Sequence, residues 1–317
     1  MYAKKLICVV VPAFNEENLI RRVIDTMPVY VDSIIVVDDK SRDSTVKKVE
    51  KIIKQKKHGR VKLIRLSKNS GVGVAIVRGY RQAVEDGMEI VAVMAGDAQM
   101  DPNDLKNIIG PVARGEADYV KGNRLYTGEA WKIIPKHRYL GNAFLSLLTK
   151  MSSGYWHLAD SQTGFTAISA TAIKLLPLYK LYPRYGYPNH LLAMLNVYSQ
   201  RVKDVPIRPV YNIGEKSGIR LWQVIPALSW LLFKNFIWRM WQKYIIRDFH
   251  PLIFFYALAF MLLGASIPLG LRIILIWRDT GNIPPINALA VMFTLITGVQ
   301  SLFFAMWFDM ENNKGIR

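Results

Sequence analysis

The chain has 317 residues, 51% hydrophobic and 21% charged, with a mean hydropathy of +0.14. This excludes a disordered chain and is enough for one large or two ordinary domains. The single cysteine, Cys8, excludes a disulfide framework and a cysteine-rich zinc site. The 42 Lys and Arg against 24 Asp and Glu leave a net charge of +18, which points to anionic partners: nucleic acid, phosphorylated small molecules or lipid headgroups.

From the N-terminus, Leu6–Pro12 is a continuous apolar run closed by a breaker, the pattern of a strand buried on both faces. This run is short and leads into acidic residues, so it does not read as a signal peptide, and the front of the chain is expected in the cytosol. Helical spacing predicts a helix over 18–27, then a strand over 33–37 ending in Asp38-Asp39. A basic helix over 44–57, a strand over 61–66 and a helix over 72–84 follow. A strand over 89–94 ends in GDAQMDP, and a helix over 104–112 and a short strand over 119–121 come after it. Alternating strands and helices predict an α/β fold, a Rossmann-like, mostly parallel sheet with helices on both faces. Ligands of such sheets sit beyond the carboxyl ends of the strands, where this chain places Asn15, Glu16, Asp38, Asp39, Asp97 and Gln99.

The composition changes near residue 220. Residues 1–220 hold 34 of the basic and 20 of the acidic residues, a net +14. Two long uncharged stretches follow, about 251–277 (interrupted by Arg272) and 286–308, each long enough to span a bilayer. Trp277 and Trp307 sit at their edges, as interfacial aromatics do. Lys243 and Arg247 precede the first stretch and Lys314 and Arg317 follow the second, which predicts a hairpin with both ends cytosolic. Residues 221–248 mix four tryptophans with Lys234, Arg239 and Lys243 and read as amphipathic helix on the membrane surface, broken at Pro226. An ordinary packing helix is the alternative. The expected organisation is a cytosolic catalytic domain over 1–220, interfacial helices over 221–248, two spans within 249–310 and a cytosolic tail over 311–317. A hairpin of two spans can gain packing by self-association, so a homo-oligomer is a candidate state.

Several motifs exclude other chemistries. Asn69-Ser-Gly-Val-Gly73 lacks the third glycine of a dinucleotide fingerprint, which would fall at Ile76, and no P-loop Gly-Lys-Ser/Thr follows. Gly71 and Gly73 instead suggest a tight turn and close backbone approach. Asp38 and Asp39 can accept bonds from a base or ribose, or can cap the helix that follows. Asp97 and Gln99, two apart on one loop, can face a hard cation that also holds a diphosphate. His58, His137, His157, His190 and His250 have no ligand spacing. The segment YPRYGYP (182–188) reads as a loop near an acceptor entrance or as plain structure, with Asn189 and His190 as candidate sugar contacts.

PAFNEE (12–17), VVDDKSRDST (36–45), KNSGVGVAIVRGY (68–80), GDAQMDP (96–102), KGNR (121–124) and DSQTGF (160–165) occur in this order. Together they resemble a family 2 glycosyltransferase of GT-A fold. The C-terminal hairpin narrows the resemblance to the polyprenyl-phosphate glycosyltransferases, the group of dolichyl-phosphate mannose and glucose synthases.

The resemblance implies a membrane enzyme that transfers a hexose with inversion from a UDP- or GDP-linked nucleotide sugar to a polyprenyl phosphate, assisted by Mg²⁺ or Mn²⁺. It implies that Pro12, Asn15, Glu16, Asp38, Asp39 and Gly71 border the nucleotide and that Asp97 and Gln99 hold the metal. Arg124 and Arg138 would contact phosphate, Asp160 would lie near the acceptor, and Lys216 and Ser217 match the family's late GESK segment. Three positions depart from the family pattern: Ala95 stands at the first Asp of Asp-x-Asp, Thr166 replaces the arginine of GFRA, and Tyr211 replaces a late arginine.

A lipid phosphate is already anionic and needs cations rather than a strong base. A sugar-hydroxyl acceptor would instead need Asp160 as base. A basic membrane-anchored binding protein with a degenerate site is a further reading, supported by Ala95. A nucleic-acid binder lacks any recognition motif.

Overall fold

The computed structural model describes residues 1–55, 59–125, 136–208, 210 and 221–317, with the backbone alone for 136–144 and 221–225. The described chain divides into two compact units, Met1–Phe236 with Ile316–Arg317, and Ile237–Gly315.

The first unit is built on one seven-stranded sheet, ordered β3-β2-β1-β4-β6-β5-β7. The strands are β1 (Ile7–Ala13), β2 (Ser33–Asp38), β3 (Val61–Arg65), β4 (Ile90–Val93), β5 (Tyr119–Asn123), β6 (Thr166–Ser169) and β7 (Val202–Pro206). β1 runs parallel to β2 and β4, β2 to β3, and β5 to β7, while β6 is antiparallel to both β4 and β5. β1, β2 and β4 are buried at every position, which is why they read as unbroken apolar runs. Edge strand β3 is buried only at Val61 and carries exposed Lys62 and Arg65.

Helices cover both faces. α1 (Ile20–Asp25), α2 (Thr45–Lys54) and α4 (Leu105–Ala113) send Ile24, Ile52 and Ile108 into one core with Ile7, Val9 and Val36. α3 (Val72–Glu85) packs on the opposite face, where Val10 Cγ1 lies 2.3 Å from the point a Cβ on Gly79 would occupy. Only glycine lets the helix approach β1 so closely. α5 (Lys136–Ser153), α6 (Ala170–Leu175) and α7 (Tyr187–Val197) follow, and α8 begins at Leu221.

α8 (Leu221–Trp241) is one continuous helix through Pro226, not the broken pair expected from sequence. Pro226 lies in the second turn, so the proline removes a single bond near the helix end instead of one in the middle.

The second unit holds α9 (Leu252–Thr280) and α10 (Pro285–Asn312), 29 and 28 residues long, whose apolar windows have mean hydropathies of 2.2 and 1.9. Both are long and apolar enough to cross a membrane. They pack on each other where Gly298 meets Leu263 and where Phe255 meets Phe304 and Phe308. α9 ends at Gly281, whose φ of 71° is the left-handed helix stop that glycine favours. At the other end of α10, Asp309 is fully buried. It accepts from Arg239 Nη1 and Nη2 at 2.8 and 2.9 Å, from Tyr244 Oη at 2.6 Å and from Asn313 Nδ2 at 3.0 Å.

Candidate active site

Three loops leave the carboxyl ends of β1, β2 and β4, and each carries a non-glycine residue with left-handed backbone: Asn15 (φ 58°), Lys40 (φ 65°) and Ala98 (φ 57°). Such conformations are sparsely populated and concentrate at functional sites. Here side-chain-to-backbone bonds hold them.

Asn15 N donates to Ser41 Oγ at 2.9 Å, and its Oδ1 accepts from Arg42 N at 2.8 Å. Glu16 N donates to Thr45 Oγ1 at 2.8 Å, and Glu17 N to Asp43 Oδ2 at 3.1 Å. PAFNEE and DDKSRDST are therefore knitted into one ledge. Asp43, not Asp38 or Asp39, tends the start of α2, accepting from Thr45 N at 2.9 Å.

Asp38 and Asp39 are both buried. Asp38 accepts from Ser41 N at 3.3 and 3.2 Å, which closes the turn after β2. Asp39 accepts from Ser70 N at 2.6 Å and Gly71 N at 2.8 Å, so it ties the β3–α3 loop to the end of β2. Gly71 and Gly73 face the chain itself. A Cβ on Gly71 would lie 2.4 Å from the Pro183 carbonyl oxygen, and one on Gly73 would lie 2.3 Å from that of Tyr182. Gly73 N also donates to Pro183 O at 2.8 Å. The close approach expected at these glycines is thus made by the YPRYGYP loop. His190 holds that loop from the other side, its Nδ1 accepting from Tyr182 N at 3.0 Å, and burial pushes its pKa down to about 4.

The GDAQMDP loop lies beside the ledge. Gly96 N donates to Pro12 O at 3.1 Å, and a Cβ on Gly96 would lie 3.2 Å from Glu16 Cγ. Gln99 N donates to Asp97 Oδ1 at 3.1 Å. Burial pushes the Glu16 carboxyl up to about 7, and the nearby carboxylates of Asp97 and Asp43 push the same way. Negative charge is therefore concentrated at this corner, and its donors are hard oxygens, the set a divalent cation such as Mg²⁺ or Mn²⁺ takes. Among the described residues, no three His, Cys, Asp or Glu side chains form a ready cage. A cation here would draw its remaining ligands from phosphate oxygens and water. A cavity opens on the α1 side of the loop, between Arg22, Thr26, Ala95, Ala98 and Asp101, and among the described residues none of the sequence-predicted site residues lines it.

A second cluster joins β5, β7 and the loop before β6. Arg124 grips Asp160 through Nε (2.7 Å), Nη2 (3.1 Å) and its backbone N (3.2 Å). The Asp160 side chain is 4% exposed and that of Arg124 28%. Burial alone would raise the Asp160 pKa, but the bonds and charge of Arg124, with the charge of Lys121, hold it below the usual carboxylate range. A carboxylate so held is a poor proton acceptor.

Sequence reasoning missed three members of this cluster. Lys121 is fully buried and donates to the Thr163 carbonyl. Asp204 Oδ2 accepts from Asn123 Nδ2 at 2.9 Å and from Ala159 N at 3.1 Å. The signal for Lys121 was a charged residue inside an otherwise buried strand; Asp204 and Asn123 gave none. Asn189 is buried, its Oδ1 3.4 Å from Thr149 Oγ1 and from Gln162 Nε2, so it belongs to the packing of α5 and α7. Of the remaining expected residues, Arg138 lies on α5 among residues described by backbone alone, and Lys216, Ser217 and Tyr211 lie outside the described residues.

Residues 8–176 match the family described as Glycosyl transferase family 2. A UDP-N-acetylglucosamine–dolichyl-phosphate N-acetylglucosaminyltransferase from Methanococcus voltae is 31% identical over 221 residues, 66% of this chain and 88% of the relative. A dolichol-phosphate mannosyltransferase from Pyrococcus furiosus is 30% identical over 139 residues, 41% of this chain and 37% of the relative. Among solved structures, glucosyl-3-phosphoglycerate synthase from Mycobacterium tuberculosis, in complex with Mn²⁺, UDP and phosphoglyceric acid, superposes with a TM-score of 0.56. It is 21% identical and the match covers 75% of this chain and 79% of that one, a likeness of fold. The sheet order, the loops at its carboxyl edge and the matched sequence agree: this chain is a glycosyltransferase of family 2 with a GT-A fold.

Proposed function

We propose that the enzyme transfers a sugar from a UDP- or GDP-linked donor to a polyprenyl phosphate, with inversion at the anomeric carbon, at a membrane surface. The observation that carries this reading is a family 2 catalytic fold on the same chain as two helices long and apolar enough to span a bilayer. Those helices expose Phe254, Ile274, Met292 and Phe303, side chains suited to lipid. The Methanococcus relative, matched over most of its length, acts on dolichyl phosphate by its name.

In this reading residues 1–220 are the cytosolic catalytic domain and 221–248 lie at the interface. Trp230, Phe233, Ile237 and Trp241 of α8 are exposed at three- and four-residue steps, which suits a helix lying in the headgroup layer. The basic residues flanking the two spans favour cytosolic ends.

The proposed roles follow from position. The ledge formed by Pro12, Asn15, Glu16 and Asp38, with the loop Asp39 ties to it, borders the nucleotide. Asp97 and Gln99, beside Glu16, would hold a divalent cation, which when bound answers the charge of the departing nucleoside diphosphate. Arg124, half-open to solvent, offers a guanidinium to phosphate, with Arg138, Lys216 and Ser217 as further contacts. Asp160 keeps Arg124 aimed. Its pairing and lowered pKa argue against a general base, and so against a sugar-hydroxyl acceptor. A lipid phosphate attacks as an anion and needs no such base.

The test is a donor screen. The full chain in detergent or nanodiscs receives labelled UDP-N-acetylglucosamine, UDP-glucose or GDP-mannose with short polyprenyl phosphate and Mg²⁺ or Mn²⁺. An acid-labile, lipid-extractable product with one donor supports the reading. Transfer to glycan hydroxyls with none to the lipid phosphate overturns it.

A further inference from the structure

The segment 182–188 lies between two parts of the catalytic unit. On one side, Pro183 O accepts from Gly73 N at 2.8 Å and stands 2.4 Å from the point a Cβ on Gly71 would occupy. Asp39 holds the Ser70 and Gly71 amides of that same turn. On the other side, Gly186 meets α8: a Cβ there would lie 2.3 Å from Leu231 Cδ2 and 3.2 Å from Leu228 Cδ2. Pro183 and Gly186 belong to one short turn, which Tyr187 N closes by donating to Arg184 O at 2.9 Å. The loop read as bordering the nucleotide and the helix read as meeting lipid are thus joined through a single strap.

Gly186 serves space and not backbone freedom. Its φ of −76° is one that any residue adopts. What leaves no room for a side chain is Leu231, buried in a cluster with Leu145, Leu228 and Leu232 against which Tyr182 also packs. α8 turns that face inward and Trp230 and Phe233 outward, with Lys234 Nζ 5.2 Å from the centre of the Trp230 ring. The start of the strap is pinned as well, since Tyr182 N donates to His190 Nδ1 at 3.0 Å. Contacts packed this closely pass a displacement on, because a dense interior leaves no slack to absorb it.

We propose that Gly186 and Leu231 are positioning residues for donor binding: the seat of the strap on α8 sets the shape of the 70–73 turn. The helix assigned to the headgroup layer then also holds the nucleotide loop in place. The inference rests on the reading that this loop borders the nucleotide.

Gly186→Ala forces a methyl group onto Leu231 Cδ2, and Leu231→Ala removes the side chain it strikes. In the full chain in detergent, hydrogen exchange of segment 68–74 is followed by mass spectrometry without ligand, and UDP and GDP binding with Mg²⁺ by calorimetry. Gly186→Ala should speed exchange at 68–74 and weaken nucleotide binding about tenfold, within the usual range of coupling between two sites. Leu231→Ala should loosen the same segment by withdrawing its support. The double variant should bind better than either single one, because the new methyl group occupies vacated space. Losses that simply multiply in the double variant overturn the proposal. A lowered melting temperature with exchange at 68–74 and affinity unchanged overturns it too, since the contact is then packing alone. Asp39→Asn loosens the turn directly and separates the two readings. If it weakens nucleotide binding and Gly186→Ala does not, the strap's role falls and the nucleotide's place stands. If exchange quickens in both and affinity changes in neither, the nucleotide does not lie on this loop and the positioning role falls with it.

Discussion

Asp39 gives the sharpest test of how the site is built. Its two oxygens accept from Ser70 N at 2.6 Å and Gly71 N at 2.8 Å, and the residue is 4% exposed. Asp39→Ala removes both acceptors and strands two largely buried backbone donors. Hydrogen bonds to a charged group contribute about 1.5–3 kcal/mol each, so the pair amounts to about 3–6 kcal/mol, and water entering the vacated space brings the expected loss to about 3. At about 2–4 °C per kcal/mol for a domain of this size, the melting temperature should fall by about 6–12 °C. The β3–α3 loop would also lose its tether to β2, so nucleotide affinity should fall with it. Asp39→Asn retains one acceptor but turns an NH₂ toward a donor, and should lie between wild type and the alanine variant. The assay is thermal melting of the detergent-solubilised full chain by circular dichroism, with UDP and GDP binding measured in parallel. A melting temperature within about 2 °C of wild type, with nucleotide affinity lost, would refute the reasoning: Asp39 would then serve the ligand and not the loop.

Gly73→Ala places a methyl group 2.3 Å from the Tyr182 carbonyl oxygen, so the loop must shift, and we expect a stability loss of about 1–3 kcal/mol by denaturant melting. Asp309→Ala leaves the fully buried Arg239 guanidinium uncompensated and should cost about 3–5 kcal/mol in thermal unfolding, while Arg239→Met with Asp309→Leu should recover most of it. His190 has a folded-state pKa of about 4 against an ordinary value near 6.5, so between those values the unfolded chain binds the proton and the folded chain does not. Stability should therefore be intact above about pH 6.5 and fall as pH drops toward 4, a slope that His190→Gln should flatten in melts at pH 7.5 and 5. Asp97→Ala should abolish transfer in the donor screen with a melt close to that of wild type, since the bond its carboxylate accepts from the Gln99 N–H lies in a partly exposed loop.

The sequence by itself determined the β-strand and helix order through residue 121, the mostly parallel sheet and the two apolar helices. Buried parallel strands and bilayer-length helices are the elements whose environment is uniform along their length, so composition alone marks them. It also located the polar loops, because ligand loops of such a sheet must sit at the strand ends. It did not reveal β6 and β7. Thr166–Ser169 is four residues long, and Val202–Pro206 carries Lys203 and Asp204, so neither shows a strand's apolar run.

Nor could spacing say what each polar side chain holds. Asp39 and Gly71 are 32 residues apart and meet only because β2 and β3 lie side by side; Arg124 and Asp160, 36 apart, meet only because antiparallel β6 inserts between β4 and β5. The same holds for Lys121, one charge in a motif on paper, which the sheet buries against the Thr163 carbonyl. Tertiary structure decides such pairings because a charge's partner is set by which chain segments exclude water around it, and that is a property of packing rather than of neighbours along the chain.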